Sequence, residues 1–384
     1  MSLEWTYVGA IGTIFLPALG HLYHFLLAVN VSSGWGMRET PLARLRTVLL
    51  AVLLGTAAWL LYAHLRCPWW TWVWPLRAYP LLCLISGGIV LPLASLQLAM
   101  RRRPSGISGR HDLVDLSEPS GPHVLIGQGW KSWQLRLPGN EAFGLCRREW
   151  ELDVSGLPPA LDGLSIIQLS DLHFAPCYDR GYFKRVVQAC CDWTADLVVI
   201  TGDLVEVQEA IAWIEPVLGP LESRLGKFAI LGNHDAEHDR DEILEALTSA
   251  GFESVDGHWL TILDSGARLE IGGTSAPWGP SPDPPDPETA DFRLLLSHSP
   301  DQFYRACQWG VDLVLSGHNH GGQVRLPAVG PLFMPSRYSR RFDRGFFRSG
   351  RSLLYVSEGV AGQHPYRYGC PPEVCRFVLR RQRP

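Results

Sequence analysis

The segment Leu164-Ser-Ile-Ile-Gln-Leu-Ser-Asp-Leu-His173 joins a strand-length apolar run to two polar side chains at its end. Similar runs follow along the chain, such as Leu197–Ile200 and Leu313–Leu315, and helical patterns such as Tyr182–Asp192 lie between them. Strands that alternate with helices are typical of layered α/β domains. The pattern therefore predicts an α/β fold for the C-terminal part of the chain.

Five of these runs lead into side chains that can bind metal ions. The residues that follow the runs are Asp171 and His173, Asp203, Asn233-His-Asp235, His298, and His318-Asn-His320. Open α/β sheets place their sites at the carboxyl ends of strands, so we expect these side chains to converge. Histidine nitrogen combined with carboxylate and amide oxygen suits Mn, Fe or Zn better than Ca or Mg.

The number of candidate ligands indicates two ions rather than one. A catalytic metal that keeps a position for water needs only about three to five protein ligands, whereas seven candidates are present here. The sequence therefore predicts two divalent ions, Mn, Fe or Zn, bridged by a carboxylate. Such a pair can clamp the attacking and leaving oxygens of a phosphoryl displacement, and it can supply hydroxide at neutral pH.

Taken in order, these residues resemble the pattern D-x-H, G-D, G-N-H-D, H and G-H-x-H of the calcineurin-like metallophosphoesterases. The resemblance covers roughly residues 147–384 and is greatest to the membrane-anchored bacterial branch, although Asn319 replaces the usual threonine. It implies a four-layer αββα sandwich of two mixed sheets, with the metals at one sheet edge. It also implies the metal ligands Asp171, His173, Asp203, Asn233, His298, His318 and His320, among which Asp203 bridges the ions.

The same resemblance implies roles for two residues that do not bind metal. His234 would contact the phosphate, stabilising its charge or protonating the leaving oxygen. Asp235 would hold the imidazole of His234. The Pro/Asp-rich segment Pro277–Asp291 is expected to be an exposed loop that caps the site or merely borders it.

The N-terminal region has the composition of a membrane anchor. The apolar runs Tyr7–Val29, Thr47–His64 and Ala78–Met100 contain no Asp, Glu, Lys or Arg, and each is long enough to cross about 30 Å of hydrocarbon. They predict an all-α transmembrane segment of about three helices. His21 and His24 lie on one face of the first run, where interhelical hydrogen bonding is favoured over a metal or proton site.

Basic residues near the ends of these runs predict the orientation. Arg38, Arg44 and Arg46 follow the first run, and Arg101-Arg-Arg103 follows the third. Because cytoplasmic loops are enriched in Lys and Arg, the catalytic domain is expected to face the cytoplasm from the inner membrane. The predicted domains are an anchor at 1–103, a linker at 104–146 with a short hairpin around Trp130–Leu137, and a catalytic domain at 147–384.

The resemblance specifies the type of reaction and leaves the substrate open. Attachment to a membrane favours a lipid-linked phosphodiester or pyrophosphate, such as UDP-diacylglucosamine, and membrane lipids as partners. Arg337, Tyr338, Arg340 and Arg341 could bind an anionic headgroup. The alternatives are a general phosphodiesterase, a protein phosphatase and an inactive metal-binding scaffold. A net charge of −4 carries no signature of nucleic-acid binding.

Overall fold

The computed structural model describes residues 11–117, 119 and 121–382, and it divides the chain into two units. The helical unit comprises the chain up to Arg102 together with Leu326–Ser339. The sheet unit comprises Arg103–Arg325 and the chain from Arg340 onward. A segment that is remote in sequence is therefore part of the helical unit.

The helical unit contains α1 (Leu16–Ser33), α2 (Glu39–Arg66), α3 (Trp74–Ile85) and α4 (Leu91–Met100). A π-helical turn at Ser86–Val90 joins α3 to α4 in one continuous helix. Among the described residues, three helical segments are long and apolar enough to cross a membrane: 12–33, 40–66 and 74–100. This confirms the expectation of about three membrane helices.

Close packing and polar contacts hold the helical unit together. A Cβ added to Gly20 would lie 1.8 Å from the carbonyl oxygen of Cys83, so only glycine allows α1 to approach α3 this closely. Nε2 of His21 lies 3.0 Å from the carbonyl oxygen of Leu53, and Nε2 of His24 lies 2.8 Å from Oγ of Ser86. These contacts confirm the interhelical role expected for both histidines.

Buried Asn30 connects α1 to the distant segment Leu326–Ser339. Its Oδ1 accepts a hydrogen bond of 2.9 Å from the backbone N–H of Met334. The guanidinium Nε of Arg337 donates a hydrogen bond of 3.0 Å to the carbonyl of Gly34, at the end of the same helix. These contacts explain why the segment belongs to the helical unit.

The strands of the described chain, in order, are β1 (Ile107–Asp115), β2 (Gly144–Val154), β3 (Ser165–Leu169), β4 (Leu197–Thr201), β5 (Gly226–Ile230), β6 (Phe252–Ser254), β7 (Trp259–Asp264), β8 (Ala267–Thr274), β9 (Phe292–Ser297), β10 (Leu313–Ser316), β11 (Arg325–Leu326), β12 (Gly330–Pro331), β13 (Gly345–Ser349), β14 (Ser352–Val356) and β15 (Glu373–Arg381). The remaining α-helices are α5 (Arg180–Gln188), α6 (Ile214–Leu218), α7 (Arg240–Ser249) and α8 (Phe303–Gln308).

Thirteen of these strands form two mixed sheets in the sheet unit, and β11 and β12 pair as a separate two-stranded sheet. The first has the order β1-β2-β15-β3-β4-β5-β6, and the second has the order β13-β14-β10-β9-β8-β7. The run β3-β4-β5-β6 is parallel, as is the run β8-β9-β10-β14. Antiparallel pairs flank both runs, for example β15 with β3 and β13 with β14.

Successive side chains of the central strands face opposite sides of each sheet, and this arrangement produces four layers. In β3, Ile166 packs between the two sheets, whereas Ile167 packs against the core that contains the helical residues Phe183 and Ile243. In β9 of the second sheet, Leu294 faces the core between the sheets, and Leu295 packs with Phe303 of α8. The order helices, sheet, sheet, helix confirms the predicted αββα sandwich.

Residues 104–146 contain ordered structure within the sheet unit. β1 pairs with β2 in an antiparallel register from Ile107 opposite Leu152 to Asp115 opposite Gly144. The hairpin expected around Trp130–Leu137 is wrong, because the chain forms 3₁₀ turns at Pro122–Leu125 and Ser132–Arg136. Glycine precedes these turns, and proline lies in or next to them. Both residue types favour short, tight turns over strand pairing.

Candidate metal centre

Parallel pairing brings the predicted ligands to one edge of each sheet. β3, β4 and β5 are parallel neighbours, and the loops that follow them carry Asp171, Asp203 and Asn233. β9 and β10 are parallel neighbours in the other sheet, and the loops after them carry His298 and His318. The carboxyl ends of parallel strands lie at the same sheet edge, so these loops meet there.

The first cluster consists of Asp171, His173, Asp203 and His320. Each offers one ligand atom, and these atoms all lie within 4.8 Å of one another. Nε2 of His320 lies 3.4 Å from Oδ1 of Asp171, and Nε2 of His173 lies 3.4 Å from Oδ2 of Asp203. Two carboxylates and two imidazoles at these distances form a set that can hold a divalent ion.

The second cluster uses Asp203 again, together with His298 and His318. Nε2 of His298 lies 3.4 Å from Oδ2 of Asp203 and 3.0 Å from Oδ1 of Asn233. The structure therefore brings all seven predicted ligands together, with Asp203 between the two groups. That position is the one a bridging carboxylate requires.

The orientation of the histidine rings fits metal binding. Nδ1 of His298 lies 2.9 Å from the carbonyl of Thr201, and Nδ1 of His320 lies 3.0 Å from the carbonyl of Ala361. A proton on each Nδ1, donated to these carbonyls, leaves Nε2 with a lone pair that faces the clusters. Nε2 of His320 also lies 3.3 Å from Nε2 of His173, an approach that a cation between two lone pairs would stabilise.

Electrostatics favours an ionised carboxylate at the shared position. Burial by itself acts to raise the pKa of Asp203, but the neighbouring His298 and His234 lower this pKa well below its ordinary value. Burial raises the pKa of Asp171, and repulsion from Asp203 acts in the same direction. Two buried carboxylates this close are destabilising without positive charge, which divalent ions would provide.

Backbone strain is concentrated in the clusters. Nine non-glycine residues in the described part of the chain have positive φ, and five of these are candidate ligands. The five are Asp171 (53°), His173 (42°), Asp203 (54°), His318 (67°) and His320 (47°). Non-glycine residues in this region cost free energy and gather at functional sites. The surrounding structure therefore holds these ligands in place at a cost in stability.

Gly317 is required by the close approach of two loops. A Cβ at this position would lie 2.0 Å from Oγ of Ser170 and 2.4 Å from Oδ2 of Asp171. The backbone N–H of His318, the next residue, donates a hydrogen bond of 2.9 Å to Oδ1 of Asp171. The loop after β10 thus orients the first ligand from the other sheet.

Glu206 is a site residue that the sequence reasoning missed. Its Oε2 lies 2.9 Å from Nδ1 of His173 and 2.9 Å from Nδ1 of His234. Burial acts to raise the pKa of Glu206, but the two histidines lower it far below its ordinary value. The carboxylate thereby links a candidate metal ligand to the candidate proton donor. Its position three residues after Asp203, within the same loop, was the available signal.

The role expected for Asp235 is corrected by the structure. Its Oδ1 accepts hydrogen bonds from the backbone N–H groups of Leu204 (2.9 Å) and Val205 (3.0 Å). Its Oδ2 accepts one from the N–H of Gly232 (2.8 Å). In the part of the chain that the structure describes, Glu206 rather than Asp235 holds the imidazole of His234. Asp235 ties together the loops after β4 and β5, because its short side chain reaches the nearest amides.

The four residues predicted to bind substrate fall in different units. Arg337 and Tyr338 belong to the helical unit, whereas Arg340 and Arg341 belong to the sheet unit. The guanidinium of Arg341 lies over the ring of Tyr304, 5.4 Å from its centroid. Their binding of substrate remains a prediction.

Trp278 borders the second cluster and was also missed. Its ring centroid lies 4.6 Å from that of His318 and 5.9 Å from that of His298. The tryptophan is half-buried, and its backbone N–H donates a hydrogen bond of 3.1 Å to Ser275. At least the start of the loop Pro277–Asp291 therefore lies beside the candidate ligands.

Comparison with known proteins agrees with this geometry. Residues 164–322 match the family model described as calcineurin-like phosphoesterase. The metallophosphoesterase YkuE of Bacillus subtilis is 30% identical over 242 residues, which cover 60% of this chain and 84% of that protein. The chain belongs to the calcineurin-like metallophosphoesterases.

Two further relatives have names that state an activity. The phosphodiesterase YaeI of Escherichia coli is 31% identical over 222 residues, covering 56% of this chain and 81% of YaeI. The UDP-2,3-diacylglucosamine pyrophosphatase LpxG of Chlamydia trachomatis is 27% identical over 275 residues, covering 56% of this chain and 83% of LpxG. This metallophosphoesterase is accordingly a hydrolase, and its three apolar helices indicate a membrane protein.

Proposed function

We propose that the chain is a membrane-anchored phosphoesterase that binds two divalent ions and hydrolyses a phosphodiester or pyrophosphate bond in a lipid-linked substrate, such as UDP-diacylglucosamine. The observation that carries the proposal is the position of Asp203. This carboxylate is a member of both clusters, one with His173 and one with His298. A single-ion site has no need of a ligand shared in this way.

The proposed ligands divide between the two ions. Asp171, His173 and His320 would hold the first ion, Asn233, His298 and His318 would hold the second, and Asp203 would contact both. Mn, Fe and Zn all suit this donor set. Divalent ions bound there would lower the pKa of a bound water and polarise the phosphate.

His234 is the proposed general acid. Glu206 accepts the hydrogen of its Nδ1 at 2.9 Å, which leaves Nε2 available to the substrate. The side chain of His234 is 13% exposed, so a bound ester can reach the ring. A proton on Nε2 would pass to the leaving oxygen, while the charge on Glu206 stabilises the imidazolium.

Two observations support a lipid-linked substrate. The described part of the chain carries three helices of membrane-spanning length and apolar composition, and LpxG, whose name states a lipid-linked pyrophosphate substrate, covers 56% of the chain. General phosphodiester hydrolysis is the second candidate, because YaeI is a relative of higher identity and is called a phosphodiesterase.

The proposal includes the domain division and the orientation predicted from the sequence. The anchor would end near Arg103, and the catalytic domain from residue 147 would face the cytoplasm. Arg38, Arg44 and the cluster Arg101-Arg-Arg103 support this orientation through the bias of basic residues toward the cytoplasm.

The proposal can be tested by assaying the full-length protein in detergent with Mn²⁺. The substrates are UDP-diacylglucosamine, a chromogenic aryl phosphodiester and a phospholipid. We expect preferential turnover of UDP-diacylglucosamine, loss of turnover in Asp203→Asn, and full turnover in the exposed control Asp192→Asn. Preference for the soluble diester would favour the second candidate. Turnover that survives in Asp203→Asn would contradict the two-ion site.

A further inference from the structure

The segment of the sheet unit that joins β1 to β2 carries four exposed large apolar side chains. They are Val124, Trp130, Trp133 and Leu137, and we call them the tryptophan surface. The side chain of Trp130 is 78% exposed and that of Trp133 is 54% exposed. Val124 and Leu137 are exposed as well. Several large apolar side chains exposed in one short segment mark an interaction site more often than isolated exposed residues do.

The segment that carries the tryptophan surface is held firmly. Leu125 and Leu135 alternate with the exposed residues and are buried in the core of the sheet unit. Nδ2 of Asn140 donates hydrogen bonds to the carbonyls of Gln134 (2.9 Å) and Pro365 (2.8 Å). The outward position of the tryptophans is therefore built into the fold.

The segment that carries the tryptophan surface has basic side chains and no acidic ones between residues 121 and 140. Residues 121–140 contain Lys131 and Arg136 but no Asp or Glu. Nζ of Lys131 lies 5.4 Å from the ring centroid of Trp130, and Arg136 is exposed. Tryptophan favours the headgroup level of a bilayer, and basic residues near a bilayer are attracted to anionic lipids. The same surface thus satisfies both requirements for contact with an anionic membrane.

The tryptophan surface lies close to the metal centre. Nζ of Lys131 donates a hydrogen bond of 2.7 Å to the carbonyl of Gln363. Two residues earlier, the carbonyl of Ala361 lies 3.0 Å from Nδ1 of His320, a candidate ligand. Lipid held at this surface would therefore be near the candidate ligand His320.

We infer that the tryptophan surface docks on the headgroup region of an anionic phospholipid bilayer. Trp130 and Trp133 enter the interface, and Lys131 and Arg136 contact lipid phosphates. A membrane-anchored chain already holds its sheet unit near a bilayer, so even a weak surface contact is populated. The inference concerns the orientation of the sheet unit and does not depend on which ester is hydrolysed.

The test uses the full-length protein in nanodiscs that contain phosphatidylglycerol. A photoreactive p-benzoylphenylalanine replaces Trp133 in one variant and Leu263 in the other. Leu263 is a matched control, because it lies in β7 of the same unit and is 72% exposed. After irradiation, mass spectrometry counts lipid adducts. We expect more lipid adducts at position 133 than at 263, and a decrease of about fivefold at 133 when Arg136→Gln is added.

Other results would overturn the inference. Equal lipid yields at positions 133 and 263 would mean that the surface only collides with the bilayer. Adducts at 133 with protein, from a partner or a second copy of the chain, would assign the surface to a protein interface. Because the readout is the adduct itself, it is independent of turnover, and an inactive preparation would still answer the question.

Discussion

Oε2 of Glu206 lies 2.9 Å from Nδ1 of His234, and the same oxygen lies 2.9 Å from Nδ1 of His173. One carboxylate therefore orients both a candidate metal ligand and the candidate proton donor. Carboxylates of this kind fix the tautomer of a ligating histidine and raise its basicity. In the proposed function, this relationship would couple metal binding by His173 to proton transfer by His234.

The first prediction concerns Glu206→Gln. Oε2 alone accepts both imidazole hydrogens, but an amide oxygen carries no full negative charge and therefore holds them, and a protonated His234, more weakly than a carboxylate does. We expect turnover to fall about 100-fold and metal affinity to fall roughly 10- to 100-fold. The measurement is kcat on aryl phosphodiesters of rising leaving-group pKa, together with metal content. The loss should be largest for the poorest leaving groups, because they depend most on the proton from His234.

Glu209→Gln is the control for this experiment, because Glu209 is an exposed acid three residues along the same loop. It should leave turnover and metal content unchanged. If Glu206→Gln slowed all leaving groups equally and kept its metal, the proposed link between His173 and His234 would be wrong.

Asp235→Asn tests the corrected role of Asp235. The amide can keep the two hydrogen bonds to Oδ1, but its NH₂ group would face the N–H of Gly232. We expect the free energy of unfolding to fall by about 1–3 kcal/mol, seen as a lower Tm. The slope of log kcat against leaving-group pKa should stay as in the wild type, whereas His234→Ala should change it. A changed slope in Asp235→Asn would indicate that Asp235 does hold the imidazole of His234.

Asp203→Asn should reduce the metal content itself. Asp203 is common to both clusters, and an amide oxygen without charge is a poor bridge between two cations. We expect the purified variant to carry fewer ions per chain than the wild type, as measured by plasma mass spectrometry. Asp192→Asn, an exposed carboxylate exchanged in the same way, should retain the wild-type content. Identical content in all three proteins would argue against a shared ligand.

Trp278→Ala should alter substrate preference. The indole lies 4.6 Å from the ring of His318 and is half-buried, so a ring on the substrate can stack beside the second cluster. Stacking of a base on an aromatic side chain is worth about 1–3 kcal/mol. We expect KM to rise about 5- to 150-fold for a nucleotide ester and to stay constant for an alkyl phosphodiester. Trp278→Phe should restore most of the affinity, and an equal effect on both esters would refute stacking.

Much of the site could be predicted because its ligands follow strands. Asp171, Asp203 and His298 each come directly after a buried run, and parallel strands bring their carboxyl ends to a common edge. The order of motifs, through the family resemblance, therefore predicted which candidate ligands the structure brings together. The three apolar helices were predictable for a similar reason, since length and composition alone define a membrane span.

The sequence could not predict side-chain contacts that depend on the path of a loop. Asp235 is adjacent to His234 in the chain, yet it bonds to the amides of the loop after β4, whereas Glu206 reaches the imidazole. Trp278 lies beside His318 although forty residues separate them in the sequence. Contacts of this kind depend on the direction of individual side chains, and sequence spacing does not specify it.

By itself, the sequence determined that the chain combines apolar helices with a layered α/β domain, and it determined which residue types can hold metal. These features depend on local periodicity and on the order of the strands. Only the tertiary structure decided that Glu206 holds His234, that Leu326–Ser339 packs with the apolar helices through Asn30, and that Trp130 and Trp133 are exposed. Each of these depends on contacts between residues distant along the chain, and such contacts exist only once the packed layers bring the residues together.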